Sequence, residues 1–196
     1  MIRRILTAGA VAAGALAAAS PALAHTYGVH GSGFGAGFAH PLGGLDHILA
    51  MVAVGVWAAQ IGGRAMWLVP TAFVAAMIGG GAIGMAGVPL PMVELGIVAS
   101  VVLLGALIAL QSRLPLPLTM ALVALFALFH GHAHGLEAPT AAAPLLYAAG
   151  FTLATALLHG AGVGLALAVS RLSSIRAVRL AGGAIAAGGL ALVAGI

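Results

Sequence analysis

The sequence has no cysteine, no lysine and only three carboxylate side chains, Asp46, Glu94 and Glu137. Without cysteine there are no disulfides, no thiolate-held metals and no cysteine nucleophile. Without lysine, the formal net charge of +4 rests on seven arginines scattered in ones and twos between apolar blocks. That scatter forms no basic face, and two Trp, two Tyr and six Phe leave little to stack on bases, so nucleic-acid binding is excluded. A glycine-rich phosphate loop of the Walker A type is also missing, which removes nucleotide as a ligand or fuel. Charged residues make up 5% of the chain, against about 25% in soluble domains.

What fills the chain is apolar: 63% of residues are hydrophobic and the mean hydropathy is +1.21. No water-soluble core of this length accommodates so much apolar surface, so the composition points to an integral membrane protein. Arg3 and Arg4, the apolar run Ile5 to Ala19, and Pro21-Ala22-Leu23-Ala24 have the layout of a cleavable signal peptide over 1–24. Cleavage there starts the mature chain at His25. Six apolar stretches follow, each near the ~20 helical residues that cross about 30 Å of hydrocarbon. They are Leu45–Ile61, Met66–Ala86, Val93–Leu110, Leu118–His134, Leu145–Ser170 and Ile175–Ile196, separated by short glycine, proline and arginine linkers. The expected fold is therefore all-α, a six-transmembrane-helix bundle over 25–196. Gly80-x-x-x-Gly84, Gly160-x-Gly-x-Gly164, Gly182-Gly183 and Gly188-Gly189 are its expected helix-packing sites.

Arginine sets the orientation. With the mature N-terminus outside, Arg64, Arg113, Arg171, Arg176 and Arg179 all fall on the inner side, as the positive-inside rule requires. The expectation is a multi-pass protein of a bacterial inner membrane with a periplasmic N-terminus.

The acids and histidines collect at the other end. His25 and His30 lie in the outer N-terminal segment, and His40, Asp46 and His47 at the outer start of the first stretch. Glu94 opens the third, where it serves as a helix-start carboxylate. His130, His132, His134 and Glu137 end the fourth; His159 alone is near mid-membrane. On a helix, His130, His134 and Glu137 stack on one face while His132 points away. An i, i+4 histidine pair with a carboxylate one turn on suits a divalent metal. Asp46 near lipid needs a cation or hydrogen-bond partners. If 40–47 is one helix, His40 and His47 share a face; Gly43-Gly44 can equally open a turn. Imidazole and carboxylate without thiolate favour nickel, cobalt or zinc over copper(I) or calcium.

With these residues in view, the chain resembles the HupE/UreJ family of nickel/cobalt permeases over nearly its whole length. The resemblance is carried by HPLGGLDHILAMVAVGVWAAQ at 40–60, FHGHAHGLE at 129–137 and GFTLATALLHGAGVGL at 150–165. It implies metal-handling roles for His40, Asp46 and His47, for His130, His132, His134 and Glu137, and for His159. It also implies a supply line to nickel enzymes such as hydrogenase or urease.

The expected function is secondary, non-ATP-driven import of Ni²⁺, with Co²⁺ and Zn²⁺ as other candidates. The ion is cargo; no prosthetic group is expected, and the partners are the lipid bilayer and the divalent ion. His25 and His30 would capture the ion at the mouth. Two other readings stand beside this one. An integral-membrane metalloenzyme of zinc or diiron type would use Asp46 or Glu137 as a base. A periplasm-facing metal-binding assembly partner would retain the ion without moving it.

Overall fold

A computed structural model describes residues 33–138, 144–172 and 174–194. The signal peptide expected at 1–24 and the ligands expected at His25 and His30 lie outside the described residues. Within them every regular element is helical: α1 (Phe34–Ala39), a 3-10 turn (His40–Leu42), α2 (Leu45–Ile61), α3 (Ala65–Met85), α4 (Val93–Ala109), α5 (Leu116–Leu136), α6 (Pro144–Leu172) and α7 (Ile175–Ala194).

The six long helices, α2 to α7, occupy the six apolar stretches, with ends displaced by a residue or two at most places. Four of them, α3, α5, α6 and α7, are long and apolar enough to cross a membrane. A fifth span exists if α1, the 3-10 turn and α2 act together across an 84° bend. The remaining helix, α4, is apolar but only 17 residues long, about 26 Å at 1.5 Å per residue.

The helices end where the sequence supplies a stop. After α3, Gly87 adopts φ +68° and the amides of Gly87 and Val88 return to the carbonyls of Gly84 and Ile83, a Schellman ending. After α4 the same ending is built on a non-glycine: Gln111 sits at φ +56° while its amide and that of Ser112 reach Ile108 and Leu107. Pro115 and Pro117 open α5, where the missing amide of a first-turn proline costs nothing.

Packing depends on bare backbone. A Cβ at Gly80 would strike the carbonyl of Leu128, and one at Gly84 that of His132. In return, Gly131 and Gly135 on α5 lie against the carbonyls of Met77 and Gly81 on α3. Gly55 of α2 lies on the His159 carbonyl of α6, and Gly162 on that of Val52. In the Gly160–Gly164 motif only Gly162 serves the expected packing role, because nothing lies within 4 Å of a Cβ at Gly160 or Gly164. Likewise Gly182 and Gly189 meet α4 whereas Gly183 faces open space. Around these contacts Met51, Trp57, Phe73, Met77, Leu104 and Ile108 form the buried core.

The two ends of the bundle differ in chemistry. At one end Trp57 Nε1 donates to the Ser112 carbonyl, Gln60 Nε2 to Ile108 and Arg179 Nε to Ala109, which joins the ends of α2 and α4 to the start of α7. Arg64 and Arg113 lie in the connections at the ends of α2 and α4, Arg171 in the last turn of α6 and Arg176 in the first turn of α7. The starts of α2 and α6 and the end of α5 meet at the other.

Gly131→Ala is expected to destabilise the bundle by about 1–3 kcal/mol through backbone overlap with Met77, while Gly160→Ala changes stability by less than about 0.5 kcal/mol. Unfolding of the two purified variants in detergent, followed by circular dichroism, checks the contrast.

Candidate metal centre

The sequence at 40–47 leaves two readings open, and the structure takes the turn. Gly43 closes the 3-10 turn, with its amide on the His40 carbonyl, and Gly44 is extended at φ −109°, ψ 123°. His40 and His47 therefore belong to different elements. The space at Gly44 is used: a Cβ there would stand 2.7 Å from Asp46 Oδ1 and 2.8 Å from His47 Nδ1. In the first turn of α2, Asp46 Oδ1 accepts the His47 backbone amide at 2.8 Å and lies 2.7 Å from His47 Nδ1. A carboxylate can only accept, so Nδ1 carries the proton and Nε2 keeps its lone pair. That nitrogen is buried without a partner. A carboxylate behind a histidine, leaving the far nitrogen bare, is how metal-binding imidazoles are commonly oriented.

The end of α5 supplies the facing wall. Glu137 Oε2 lies 2.9 Å from His40 Nε2. One ligand atom from each of His40, His134 and Glu137 can be drawn from a set lying within 4.8 Å of one another. The His134 ring stands 4.7 Å from that of His40 and 4.2 Å from that of His47, both of its nitrogens buried and unpartnered. One turn deeper, the His130 ring is 4.9 Å from His47. His130 is wholly buried, its Nε2 2.9 Å from Ser100 Oγ and its Nδ1 without a partner.

Exposure falls along this series, from 41% at the Glu137 side chain and 30% at His40 to 0% at His130. Phe73 of α3 then touches His130 and, at 5.0 Å between ring centroids, His159. His159 is buried in α6 with both nitrogens unpartnered.

The structure thus brings together His40, Asp46, His47, His130, His134 and Glu137, and sets His159 one phenyl ring further in. His132 is placed elsewhere: its Nε2 donates to the Val88 carbonyl at 2.7 Å, tying α5 to the turn after α3. Glu94 is exposed in the first turn of α4.

Sequence reasoning passed over four contributors. Phe73 and Phe151 wall the imidazoles, with the Phe151 ring 4.2 Å from His134. Tyr147 stands 5.8 Å from His40 with its hydroxyl buried. Ser100 was signalled, as the one hydroxyl in an otherwise apolar helix apart from Glu94. The aromatics carried no such signal, because on an apolar helix they look like any core residue. Beside His134 and Tyr147 a cavity of about 190 Å³ opens between α3 and α6, floored by Gly131 and Gly135.

An apolar multi-pass bundle with imidazole and carboxylate converging at one end defines a membrane protein built around a candidate cation site. The family description "HupE / UreJ protein" matches residues 13–192, and the chain belongs to that family. It is 50% identical over 181 residues to Protein HupE of Rhizobium leguminosarum bv. viciae, covering 91% of this chain and 94% of that protein. The family is associated with nickel and cobalt uptake. No solved structure matches.

His132→Ala should lower stability by about 1–3 kcal/mol, since the Val88 carbonyl loses its donor, yet leave Ni²⁺ affinity within about twofold. His134→Ala should do the reverse, weakening Ni²⁺ binding by about tenfold or more. Calorimetric titration of the purified variants, with thermal unfolding alongside, checks both halves.

Proposed function

We propose that the protein is a secondary permease of the bacterial inner membrane that carries Ni²⁺, with Co²⁺ as second cargo, from periplasm to cytoplasm across six spans. The observation that carries this reading is the series of unpartnered imidazole nitrogens running from an exposed mouth into an apolar bundle. Leaving several buried polar atoms without hydrogen bonds costs about 1–3 kcal/mol each, a cost that a passing cation offsets by coordination.

The donor set selects the cargo. Glu137 and His40 at the exposed end exchange the first waters of hydration for one carboxylate oxygen and one imidazole. His134 and the Nε2 of His47 take over where water thins out. Nitrogen donors favour nickel, cobalt and zinc over magnesium and calcium, whose hydration shells are better replaced by oxygens. His130 and then His159, beyond Phe73, continue the path toward the arginine end. The mature N-terminal His25 and His30 serve as first captors.

No nucleotide is needed. A divalent cation entering a cell with an inside-negative potential of about 100 mV gains about 4.6 kcal/mol. Each ligand set must therefore hold the ion only weakly enough to release it inward, which a series of two-donor stations does better than one closed cage. The cargo supplies nickel enzymes of the hydrogenase or urease kind. The separation of stations along the path favours transport over an enzymatic metal site, which would fix its ion in one place.

Uptake of ⁶³Ni²⁺ at sub-micromolar concentration, in cells lacking other nickel importers, tests the reading. Wild type should accumulate nickel, whereas Asp46→Asn and His134→Ala at equal membrane abundance should fall at least about tenfold. Equal accumulation by all three, or none by wild type, overturns it.

A further inference from the structure

Ser100 is fully buried on α4, with its Oγ in contact with two groups. One is the Ile97 carbonyl at 2.5 Å and the other is His130 Nε2 at 2.9 Å. A carbonyl oxygen brings no proton, so the single hydroxyl proton of Ser100 is committed to Ile97. The contact with His130 is then made only if the imidazole donates. Nε2 must carry hydrogen, and Nδ1, buried and unpartnered, keeps its lone pair.

We propose that Ser100 is a positioning residue that holds His130 in its Nε2–H tautomer and so makes Nδ1 the nitrogen offered to the cation. What meets that nitrogen rests on the permease reading; the tautomer itself does not. The site then uses one device twice with opposite polarity. Asp46 accepts the Nδ1–H of His47 and bares Nε2, while Ser100 accepts the Nε2–H of His130 and bares Nδ1. The two rings, 4.9 Å apart and nearly perpendicular, present different nitrogens without competing for one proton. Without Ser100, His130 is free to exchange tautomers, and its lone pair faces the cation only part of the time.

The test is ¹⁵N spectroscopy of metal-free, histidine-labelled protein in detergent, with the His130 signals assigned by their loss in His130→Gln, joined to uptake kinetics. Wild type should show a protonated Nε2 and a bare Nδ1 at His130. In Ser100→Ala these signals should move toward a tautomer mixture, and Ser100→Thr, which keeps the hydroxyl, should preserve them. For ⁶³Ni²⁺ uptake, Ser100→Ala should raise KM by about tenfold with maximal rate and membrane abundance within about twofold. In the His130→Gln background the same substitution should add less than about twofold, because the two residues act as a unit.

A wild-type spectrum with hydrogen on Nδ1, or a Ser100→Ala spectrum identical to wild type, overturns the proposal. So does an uptake loss that is additive with His130→Gln, which marks Ser100 as packing alone. If wild type fails to import nickel, the permease reading falls, and the His130 spectra still decide the tautomer.

Discussion

Everything at the candidate site depends on how closely the helix backbones approach one another. Where Gly131 and Gly135 lie on the carbonyls of α3, and Gly80 and Gly84 on those of α5, no side chain separates the two helices. That fixes the height of His130 and His134 against Phe73 to within the tolerance of backbone contact. A second such junction, Gly55 on the carbonyl of His159 itself, ties α2 to α6. Two of the carbonyls used as contact points, those of His132 and His159, belong to histidines. These imidazoles are thus borne by helices that meet backbone to backbone. Where hydrocarbon surrounds the helices, burial of apolar area gives little drive to associate, and such close approach is what holds them.

On this frame the site solves a problem of proton placement. A neutral imidazole has one donor and one acceptor nitrogen, and a metal can use only the acceptor. The Asp46 carboxylate assigns these roles at His47, and the chain makes room for the assignment with Gly44, whose missing Cβ would collide with both partners. The 84° bend at Gly43-Gly44 has a second effect. It lets His40 approach Glu137 from a different element than the one bearing His47, so that His134 is met by two rings from two directions. A straight helix through 40–47 would have stacked His40 and His47 on one line.

Much of this was legible in the residues, because membrane helices obey few rules. Apolar runs of the right length mark the helices, and Gly, Pro and Arg mark their ends. Arginine at one end and acids and histidines at the other already divide the molecule in two. The stacking of His130 with His134 and the divergence of His132 follow from helix geometry alone. Other features were not legible for physical reasons. Whether Gly43-Gly44 continues or breaks a helix turns on tertiary contacts, since glycine permits both. Which glycines of a motif pack depends on the helix facing them, so Gly160 and Gly162 cannot be told apart by spacing. The use of Gln111 in a left-handed helix ending breaks the usual preference for glycine, and the sequence offers no sign of it.

That ending on α4 bears on how the bundle sits in its bilayer. The last four carbonyls of α4 all have donors: the amides of Leu110, Ser112 and Gln111 reach Ala106, Leu107 and Ile108, and Arg179 reaches Ala109. Gln60 adds a second donor at Ile108. A helix end closed in this way asks nothing of water or lipid headgroups. Those four carbonyls would stay satisfied even where the helix stopped short of the polar boundary. A short span closed in this way would absorb hydrophobic mismatch within the protein, where other short helices relieve it by thinning the membrane around them. With such an end, a helix of 17 residues would leave its longer neighbours free to set the thickness of membrane in which the whole chain is at rest.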